Sequence, residues 1–353
     1  MTVYLINIFL VVFWGYLLLY NKNSDKNAQT YCVLVAFQWI LISGLRHISI
    51  GADTEAYKYY FDQVKSISWS KVFSNFWDYL FNGLDIKDPG YTLIQKVFQI
   101  FCNDYQAYLI FIAFIFTSLM AIWIYKNSKD PCFSFLLYSV LFYSFYALTG
   151  HRQTIATALI VFWGYKYIKE RKLVKFALLA FAAFLIHKSS LVFIPYYFVA
   201  NIPITPFYVL IALAVVFIVA LMGSSLYAPL SEFLGFNKEQ IEYAKGGAET
   251  YAAVLTLMCI VILCCYNFYK NRTENANRIF NVTLLTLMSS LLVFQNQSFM
   301  RIQQYFSLFL CVSFPEIIDL FEKKSRIYVY FVTFSLLILY LIRNNPKYLF
   351  FWQ

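Results

Sequence analysis

The stretch YQAYLIFIAFIFTSLMAIWIY, residues 105–125, contains no charged side chain. A helix needs about 20 apolar residues to cross the hydrocarbon core of a bilayer, so this stretch is long enough for one crossing. The whole chain has the same character, because 61% of its 353 residues are hydrophobic and only 13% are charged. Soluble domains carry about 25% charged residues. The composition therefore indicates an integral membrane protein.

Apolar runs recur along the chain and predict further membrane spans. Eight of them approach the required length: residues 3–20, 28–45, 105–125, 132–148, 207–222, 251–269, 278–294 and 327–342. Three are shorter or contain a proline: residues 155–168, 173–186 and 191–200. With residues 301–320 as the penultimate span the count is 12, and it falls to 10 if short runs are re-entrant. We therefore predict one all-α, polytopic membrane domain over residues 1–353, with 10–12 transmembrane helices.

The net charge of +10 is divided unevenly between the two predicted sides of the membrane. Of the 28 Lys and Arg, 15 lie in alternate short loops with 7 acidic residues in or beside them: residues 22–26, 126–129, 166–175, 270–278 and 323–326. The other side holds 13 basic and 11 acidic residues. Basic residues concentrate in short cytoplasmic loops, so both termini are predicted to lie outside. The basic balance indicates topology and not nucleic-acid binding.

The sequence contains no motif of a nucleotide-dependent or metal-dependent enzyme. It has no Walker loop, no G-x-G-x-x-G after a strand and no C-x-x-C pair. The seven cysteines lie in or beside apolar spans without a histidine at metal-ligand spacing, and we interpret them as packing residues. We therefore predict no metal and no cofactor. The first apolar run also lacks the basic start and the cleavage site of a signal peptide.

Two predicted outer segments are long enough to fold, residues 46–104 and residues 223–250. In the first, the sequence KDPGYTLIQKVFQIF predicts a helix with Asp88 as its cap and Pro89 at its first position. Apolar residues recur at helical spacing in both halves of this segment. We therefore expect amphipathic helices on the outer membrane face, and the second segment is a candidate lid.

The sequence GLRHISIGADTEAYKYYF, residues 44–61, joins a predicted span to the first outer segment. Asp53 or Thr54 can cap a new helix that runs along the membrane face. Gly51 interrupts the helical pattern, so we expect a bend just before that helix. The bend is expected to bring Arg46 to an outer cavity from below and Asp53 from above.

Ionisable residues mark the outer ends of four predicted spans. An ionisable group beside hydrocarbon is costly and is therefore a site hypothesis. These residues are Arg46, Arg152, His187 with Lys188, and Arg301. Three arginines and a histidine around one outer cavity predict a receptor for a multiply charged anion, most simply a diphosphate, because the arginine fork fits phosphate oxygens. Taken singly, an arginine can instead snorkel to headgroups, and the histidine or Asp53 can have a purely structural role at a helix end.

Four blocks of the sequence resemble the EpsG family of polysaccharide-assembly membrane proteins. They are R-x6-D-T-E-A-Y from Arg46 to Tyr57, DPGY at residues 88–91, RQTIATAL at residues 152–159 and FLIHKSSLVFIPYYF at residues 184–198. The block MRIQQYF, at residues 300–306, matches more loosely. The resemblance covers residues 40–200 well, and it departs from the family pattern at His151, where an apolar residue is expected.

The resemblance implies an enzyme akin to Wzy-type O-antigen polymerases, with a GT-C-like architecture. Such a polymerase moves a growing glycan from its polyprenyl-diphosphate carrier onto a lipid-linked repeat unit, at the extracytoplasmic face of the bacterial plasma (inner) membrane. It needs no nucleotide, because the carrier diphosphate is the leaving group. The implied partners are the lipid-linked oligosaccharide, membrane lipids, a chain-length regulator and a flippase, and no nucleic acid.

Under this resemblance the polar residues have expected roles. Asp53 orients or deprotonates the acceptor hydroxyl, and His187 is the second candidate for that base. Arg152 stabilises the charge that develops on the leaving group. The residues expected to bind diphosphate or glycan are Arg46, Arg301, Lys188, Tyr57 and Tyr305, with Tyr59 and Tyr60 as further sugar-stacking candidates. The presence of His151 leaves open which histidine serves the site.

Other classes of membrane protein stay open on the sequence. An O-antigen ligase shares the leaving-group chemistry and differs in its acceptor. A flippase for lipid-linked oligosaccharides is expected to line both halves of a central cavity with charge, whereas the charges here gather outside. A membrane acyltransferase would present its histidine to cytoplasmic acyl-CoA, and a scaffold of an assembly complex would need no catalytic group.

The charge asymmetry makes a prediction about topology. A membrane-impermeant maleimide should label single cysteines in residues 53–100 and 228–248 on intact cells, but not those in residues 169–175 and 323–326, because the basic loops stay cytoplasmic. The measurement uses a background without the native cysteines. If a Tyr60→Cys variant is labelled only after the membrane is permeabilised, the predicted orientation is wrong.

Overall fold

The computed structural model describes residues 1–20, 24–84, 86–233 and 248–353. Within these ranges the chain is 80% helical and forms no β-strand, apart from an isolated antiparallel bridge between Arg46 and Phe350. The prediction of an all-α polytopic membrane protein is confirmed. All twelve predicted apolar runs are helical over most of their length. Half of the second outer segment, residues 234–247 of 223–250, falls outside the described residues.

The helices follow one another along the chain with short connections. The first six are α1 (Thr2–Tyr20), α2 (Asp25–Gly44), α3 (Thr54–Val64), α4 (Trp69–Phe81), α5 (Pro89–Phe101) and α6 (Tyr105–Asn127). The next five are α7 (residues 131–149), α8 (residues 151–169), α9 (Leu173–Ile186), α10 (Ile194–Val199) and α11 (Pro206–Phe233). The last five are α12 (Glu249–Cys264), α13 (Ala276–Val293), α14 (Met300–Ser307), α15 (Leu310–Ile318) and α16 (Lys323–Asn344).

Four of the described helices are long and apolar enough to cross a membrane: Thr2–Tyr20, Tyr105–Asn127, Ala276–Val293 and Lys324–Asn344. Shorter apolar helices are Pro131–Phe142, Leu173–Ile186, Pro206–Met222 and Glu249–Cys264. Several remaining segments are broken by turns, as where the chain passes from α14 to α15. The count of 10–12 crossings therefore stays a prediction.

The helices enclose an aromatic core centred on α2, α6 and α7. Trp39 is fully buried, donates from Nε1 to Ser139 Oγ at 3.2 Å, and meets the Tyr138 ring edge-on at 5.2 Å between centroids. Gly44 lets α2 and α6 approach closely, because an added Cβ would stand 2.9 Å from Ile110 Cα. A small residue at a helix contact permits such close packing between membrane helices. The outer ends of these helices are thereby held together.

The first outer segment folds onto the bundle through α3 and α5. Phe61 of α3 is fully buried against Tyr108 of α6, with ring centroids 5.0 Å apart. The apolar stripe of α3 therefore packs against protein. By contrast, α4 presents an aromatic stripe at helical spacing whose members are 39–67% exposed: Trp69, Phe73, Trp77 and Phe81. Of the three helices, α4 has the clearest form of a helix lying on a membrane face.

The predicted bend before α3 is present and depends on Gly51. This glycine has φ +96°, and an added Cβ would lie 2.0 Å from the carbonyl oxygen of Leu148 at the end of α7. Thr54 Oγ1 donates to the same carbonyl at 3.1 Å. Asp53 takes the N-cap position of α3, but its side chain makes no capping hydrogen bond. The bend therefore fastens the start of α3 to the end of α7 and leaves the Asp53 carboxylate exposed.

The start of α5 is held against the end of α9 by a second close approach. A Cβ added at Gly90 would stand 2.7 Å from the carbonyl oxygen of Leu185. Backbone atoms cannot rotate away from such a contact as a side chain can. The position of Gly90 therefore determines how far Asp88 and Pro89 reach toward the last turn of α9.

A Gly90→Ala variant should be less stable, because its methyl group must push α5 away from α9. Overpacking of this kind costs about 1–3 kcal/mol. The matched control is Gly164→Ala on α8, where the new methyl would make only ordinary contacts, the nearest at 3.5 Å. Thermal unfolding of the two purified variants checks this. Equal unfolding temperatures would mean that the contact between α5 and α9 does not constrain the fold.

Candidate functional site

A buried carboxylate organises the polar residues at the predicted outer end of the bundle. Asp88 is 8% exposed, and its Oδ2 lies 2.5 Å from Arg152 Nη1 and 3.3 Å from His187 Nδ1. The backbone N–H of Lys188 also donates to this carboxylate. Burying a carboxylate without partners is very costly. Three segments distant in the sequence therefore meet at one charged group.

The predicted positions of Asp88 and Pro89 at the start of α5 are confirmed, but the Asp88 side chain does not cap the helix. Asp88 occupies the N-cap position, with Pro89 following, and its side chain makes no capping hydrogen bond. Its backbone is left-handed, with φ 50° and ψ 62°. This conformation accompanies the turn of its carboxylate away from the first turn of α5 and toward Arg152 and His187. The contacts of the carboxylate with Arg152 and His187 take the place of a capping hydrogen bond.

Arg152 stands in the first turn of α8 and uses two of its three nitrogens. Besides its ion pair with Asp88, it donates from Nε to the Tyr57 hydroxyl at 3.4 Å and lies 5.5 Å from the Tyr57 ring centre. Within the described part of the chain, Nη2 has no hydrogen-bond partner. The side chain is 19% exposed. The guanidinium is therefore held in place while one of its NH₂ groups is free to bind an anion.

A second layer lies behind Arg152 and contains Arg46 and His151. Arg46 is 1% exposed, donates to the Ser43 carbonyl oxygen, and places Nη2 at 2.6 Å from His151 Nε2. Because a guanidinium only donates hydrogen bonds, Nε2 must accept and His151 must be the neutral tautomer with hydrogen on Nδ1. The His151 ring stacks on Tyr57, with centroids 4.4 Å apart. Arg46 is thus linked to Arg152 through His151 and Tyr57.

The backbone around Arg46 is held by the last residues of the chain. His47 N donates to Leu349 O at 2.9 Å, and Phe351 N donates to Leu45 O at 2.9 Å. Tyr348 adds a hydrogen bond from its hydroxyl to Ile42 O at 2.8 Å. These contacts with residues 348–351 close the end of α2 that precedes Arg46.

Burial lowers the pKa of Arg46 to about 10, so its guanidinium stays charged at neutral pH.

Charges around the cluster are mostly positive. Arg152 and Arg301 both lie within electrostatic range of Lys87 and His187. Burial is the largest cause that lowers the pKa of His187, the contact with Asp88 offsets it only in part, and the net pKa is below its ordinary value. Burial raises the pKa of Asp88, but the hydrogen bond and charge of His187 and the charge of Arg152 outweigh it. At neutral pH the pair therefore holds an ionised Asp88 and a neutral His187.

The other predicted site residues lie at different depths. Tyr305 is fully buried, and its hydroxyl lies 3.0 Å from Ser189 Oγ, behind His187 and Lys188. Asp53 is exposed, and its carboxylate lies within electrostatic range of Tyr57 and Lys87. Tyr59 and Tyr60 are 62% and 54% exposed. These residues surround the cluster without entering the Asp88 contacts.

The structure brings together several of the predicted residues and adds two. Arg152 and His187 share one carboxylate, Tyr57 contacts Arg152, and Arg301 lies in electrostatic range of Tyr57. Asp88 and Lys87 were not predicted as site residues, whereas His151 had been left open as the alternative histidine. The DPGY block was the available signal for Asp88. No cluster of three or more His, Cys, Asp and Glu that could hold a metal ion is present among the described residues.

Comparison with known proteins gives one match. The model of the EpsG family covers residues 29–352 of this chain. The chain belongs to the EpsG family. This membership makes it a membrane protein of polysaccharide assembly and confirms the resemblance stated from its motifs. No curated protein and no solved structure matches the chain. Both Asp88 and Arg152 lie inside the region that matches the EpsG family.

The contacts of Arg152 predict that lysine cannot replace it. Arg152→Lys keeps the charge, but a single ammonium cannot contact Asp88 and Tyr57 and also present a free NH₂ group. Polysaccharide made by cells that carry this variant should fall about tenfold or more, while the protein still inserts. Arg171→Lys, in the basic loop at the other end of α8, should have no effect. The measurement is polymer yield relative to membrane protein level, and equal, undiminished yields from the two variants would show that only the charge at position 152 matters.

Proposed function

We propose that this EpsG-family protein is a polysaccharide polymerase that acts at the extracytoplasmic face of the bacterial plasma membrane. It would transfer a growing glycan from polyprenyl diphosphate to a lipid-linked repeat unit. The observation that carries the proposal is the set of contacts around Asp88, which combines a fixed arginine with an oriented histidine. Family membership supports the class of process, and the charge asymmetry of the loops supports the face.

The first requirement of this reaction is a receptor for the diphosphate leaving group. Arg152 Nη2 is free among the described residues, and Arg301 and Lys87 add positive charge in electrostatic range. Against these three cations stand Asp53 and Asp88, so the local balance is positive by one charge with His187 neutral. Preorganised cations at a leaving group can supply the largest single part of catalysis. The site therefore fits a diphosphate better than a neutral ligand.

The second requirement is a base for the acceptor hydroxyl. An ionised Asp88 can only accept hydrogen bonds, so His187 must donate from Nδ1 and carry its free electron pair on Nε2. Within the described residues Nε2 has no hydrogen-bond partner, and the His187 side chain is 15% exposed. A carboxylate that orients a histidine in this way is a recurring arrangement for a general base. His187 is therefore our first candidate for the base.

In the proposed step, the acceptor hydroxyl oxygen forms a bond to the anomeric carbon of the donor glycan, and its proton goes to His187 Nε2. The bond between that carbon and the diphosphate oxygen breaks, and polyprenyl diphosphate leaves with the electron pair. Arg152, with Arg301 and Lys87, stabilises the charge that appears there. Arg46 would act from behind, by holding His151 and Tyr57 in place.

The glycan profile of a deletion strain tests the proposal. Loss of long chains with single repeat units still attached to their final acceptor is expected of a polymerase. Full-length chains that stay unattached would identify a ligase, and a complete lack of outer glycan would identify a flippase. Wild-type protein supplied from a plasmid should restore the long chains. Either of the last two profiles would contradict the proposed reaction.

His187→Asn and Asp53→Asn variants distinguish the two candidate bases. We expect His187→Asn to abolish chain extension by purified protein given a polyprenyl-diphosphate oligosaccharide, while Asp53→Asn retains part of it. The activity of the wild type should stay level from pH 7 down past the ordinary histidine pKa of about 6.5 and fall only at lower pH, because His187 becomes protonated as the pH drops through its lowered pKa. If Asp53→Asn is inactive and His187→Asn keeps both its activity and this pH profile, Asp53 is the base.

A further inference from the structure

A groove of about 520 Å³ lies between the last turns of α6 and α8, at the opposite end of the bundle from Asp88. Its apolar wall is formed by Leu119, Ile122, Trp123, Phe162 and Trp163. Ile122 and Trp163 are about half exposed, so the groove opens to the surface that faces lipid. Such a surface accommodates a hydrocarbon chain alongside the helices.

The polar end of the same groove is basic. Three lysines and one glutamate line it: Lys126, Lys166, Lys169 and Glu170. Lys126 makes no ion pair within the described chain, and Lys166 lies 3.9 Å from a Glu170 oxygen. Glu170 is held more closely by Lys172, at 2.7 Å. Two lysine charges therefore remain largely uncompensated at the end of an apolar groove.

We propose that this groove binds an anionic phospholipid, with an acyl chain against Ile122 and Trp163 and the headgroup phosphate between Lys126 and Lys166. Basic pockets between membrane helices on the cytoplasmic side are a known way to hold anionic headgroups. The side agrees with the predicted topology, in which residues 126–129 and 166–175 are cytoplasmic. The site is separate from the Asp88 cluster and does not depend on the proposed polymerase reaction.

The same lysines also stand at the carboxyl ends of two helices. Lys126 is in the last turn of α6, and Lys166 and Lys169 are in the last turn of α8, where positive charge offsets the helix dipole. That role requires no groove and no exposed aromatic wall. The combination of a cavity, an apolar wall and incompletely neutralised lysines is what points to a lipid.

Titration of the purified full-length protein with phosphatidylglycerol, followed by native mass spectrometry, tests the proposal. A Lys126→Gln/Lys166→Gln variant should bind this lipid about thirtyfold more weakly, from the usual contribution of two basic residues near a headgroup. The control, Lys270→Gln/Arg272→Gln, removes two charges from another loop of the basic end and should change the affinity by less than about twofold. A Trp163→Ala variant keeps every lysine and should also weaken binding, because the acyl chain loses its contact.

Three results would overturn the proposal. Equal losses in the two double variants would show that only general surface charge attracts the lipid. Phosphatidylcholine binding as tight as phosphatidylglycerol would remove the need for the lysines. Displacement of the lipid by inorganic diphosphate, with no effect of Trp163→Ala, would identify a site for free phosphate groups instead.

Discussion

A carboxylate buried at the end of a membrane bundle is the constraint on which this end of the protein depends. Asp88 comes from the N-cap position of α5, and its partners come from the start of α8 and the break after α9. A buried ion pair that loses one partner typically costs 3–5 kcal/mol, because the other charge stays behind without compensation. The three segments therefore have to assemble together, and the small residues at their contacts permit it. Gly90 brings α5 against α9, and Gly51 fastens α3 to the end of α7.

The contacts that hold Arg152 and His187 against Asp88 leave one nitrogen of each side chain without a hydrogen-bond partner among the described residues. Arg152 uses Nη1 and Nε for Asp88 and Tyr57, and His187 uses only Nδ1 for Asp88. The remaining nitrogens, Nη2 and Nε2, are aligned by these contacts without being consumed by them. A side chain whose orientation is already determined loses little freedom when a ligand binds. Behind them, Arg46 and His151 form a buried layer that supports Tyr57.

The two ends of the bundle handle charge differently. At the basic end, ion pairs join neighbouring helices, as between Lys129 and Glu316 at 2.8 Å and between Arg326 and Asp319 at 2.8 Å. These ion pairs neutralise part of that charge, whereas Lys126 in the groove makes no ion pair within the described residues. At the predicted outer end, the positive groups around Asp88 outnumber the carboxylates that face them. An anion is therefore favoured at both places, but in the outer cluster it meets an oriented histidine and in the groove it meets an apolar wall.

The sequence by itself determined the membrane class and the helical segments, and it singled out Arg152, His187 and Arg301 at the ends of predicted spans, because hydropathy and the cost of an ionisable group near lipid are local properties. Its motifs also pointed to the EpsG family. It could not distinguish Asp53 from Asp88, because both precede a helix and both fit the pattern of a cap. Only the tertiary structure buries one of them and leaves the other exposed, since burial depends on the approach of α5 to α9 across nearly a hundred residues of chain. The same long-range packing decides that Arg46 meets His151 instead of an open cavity.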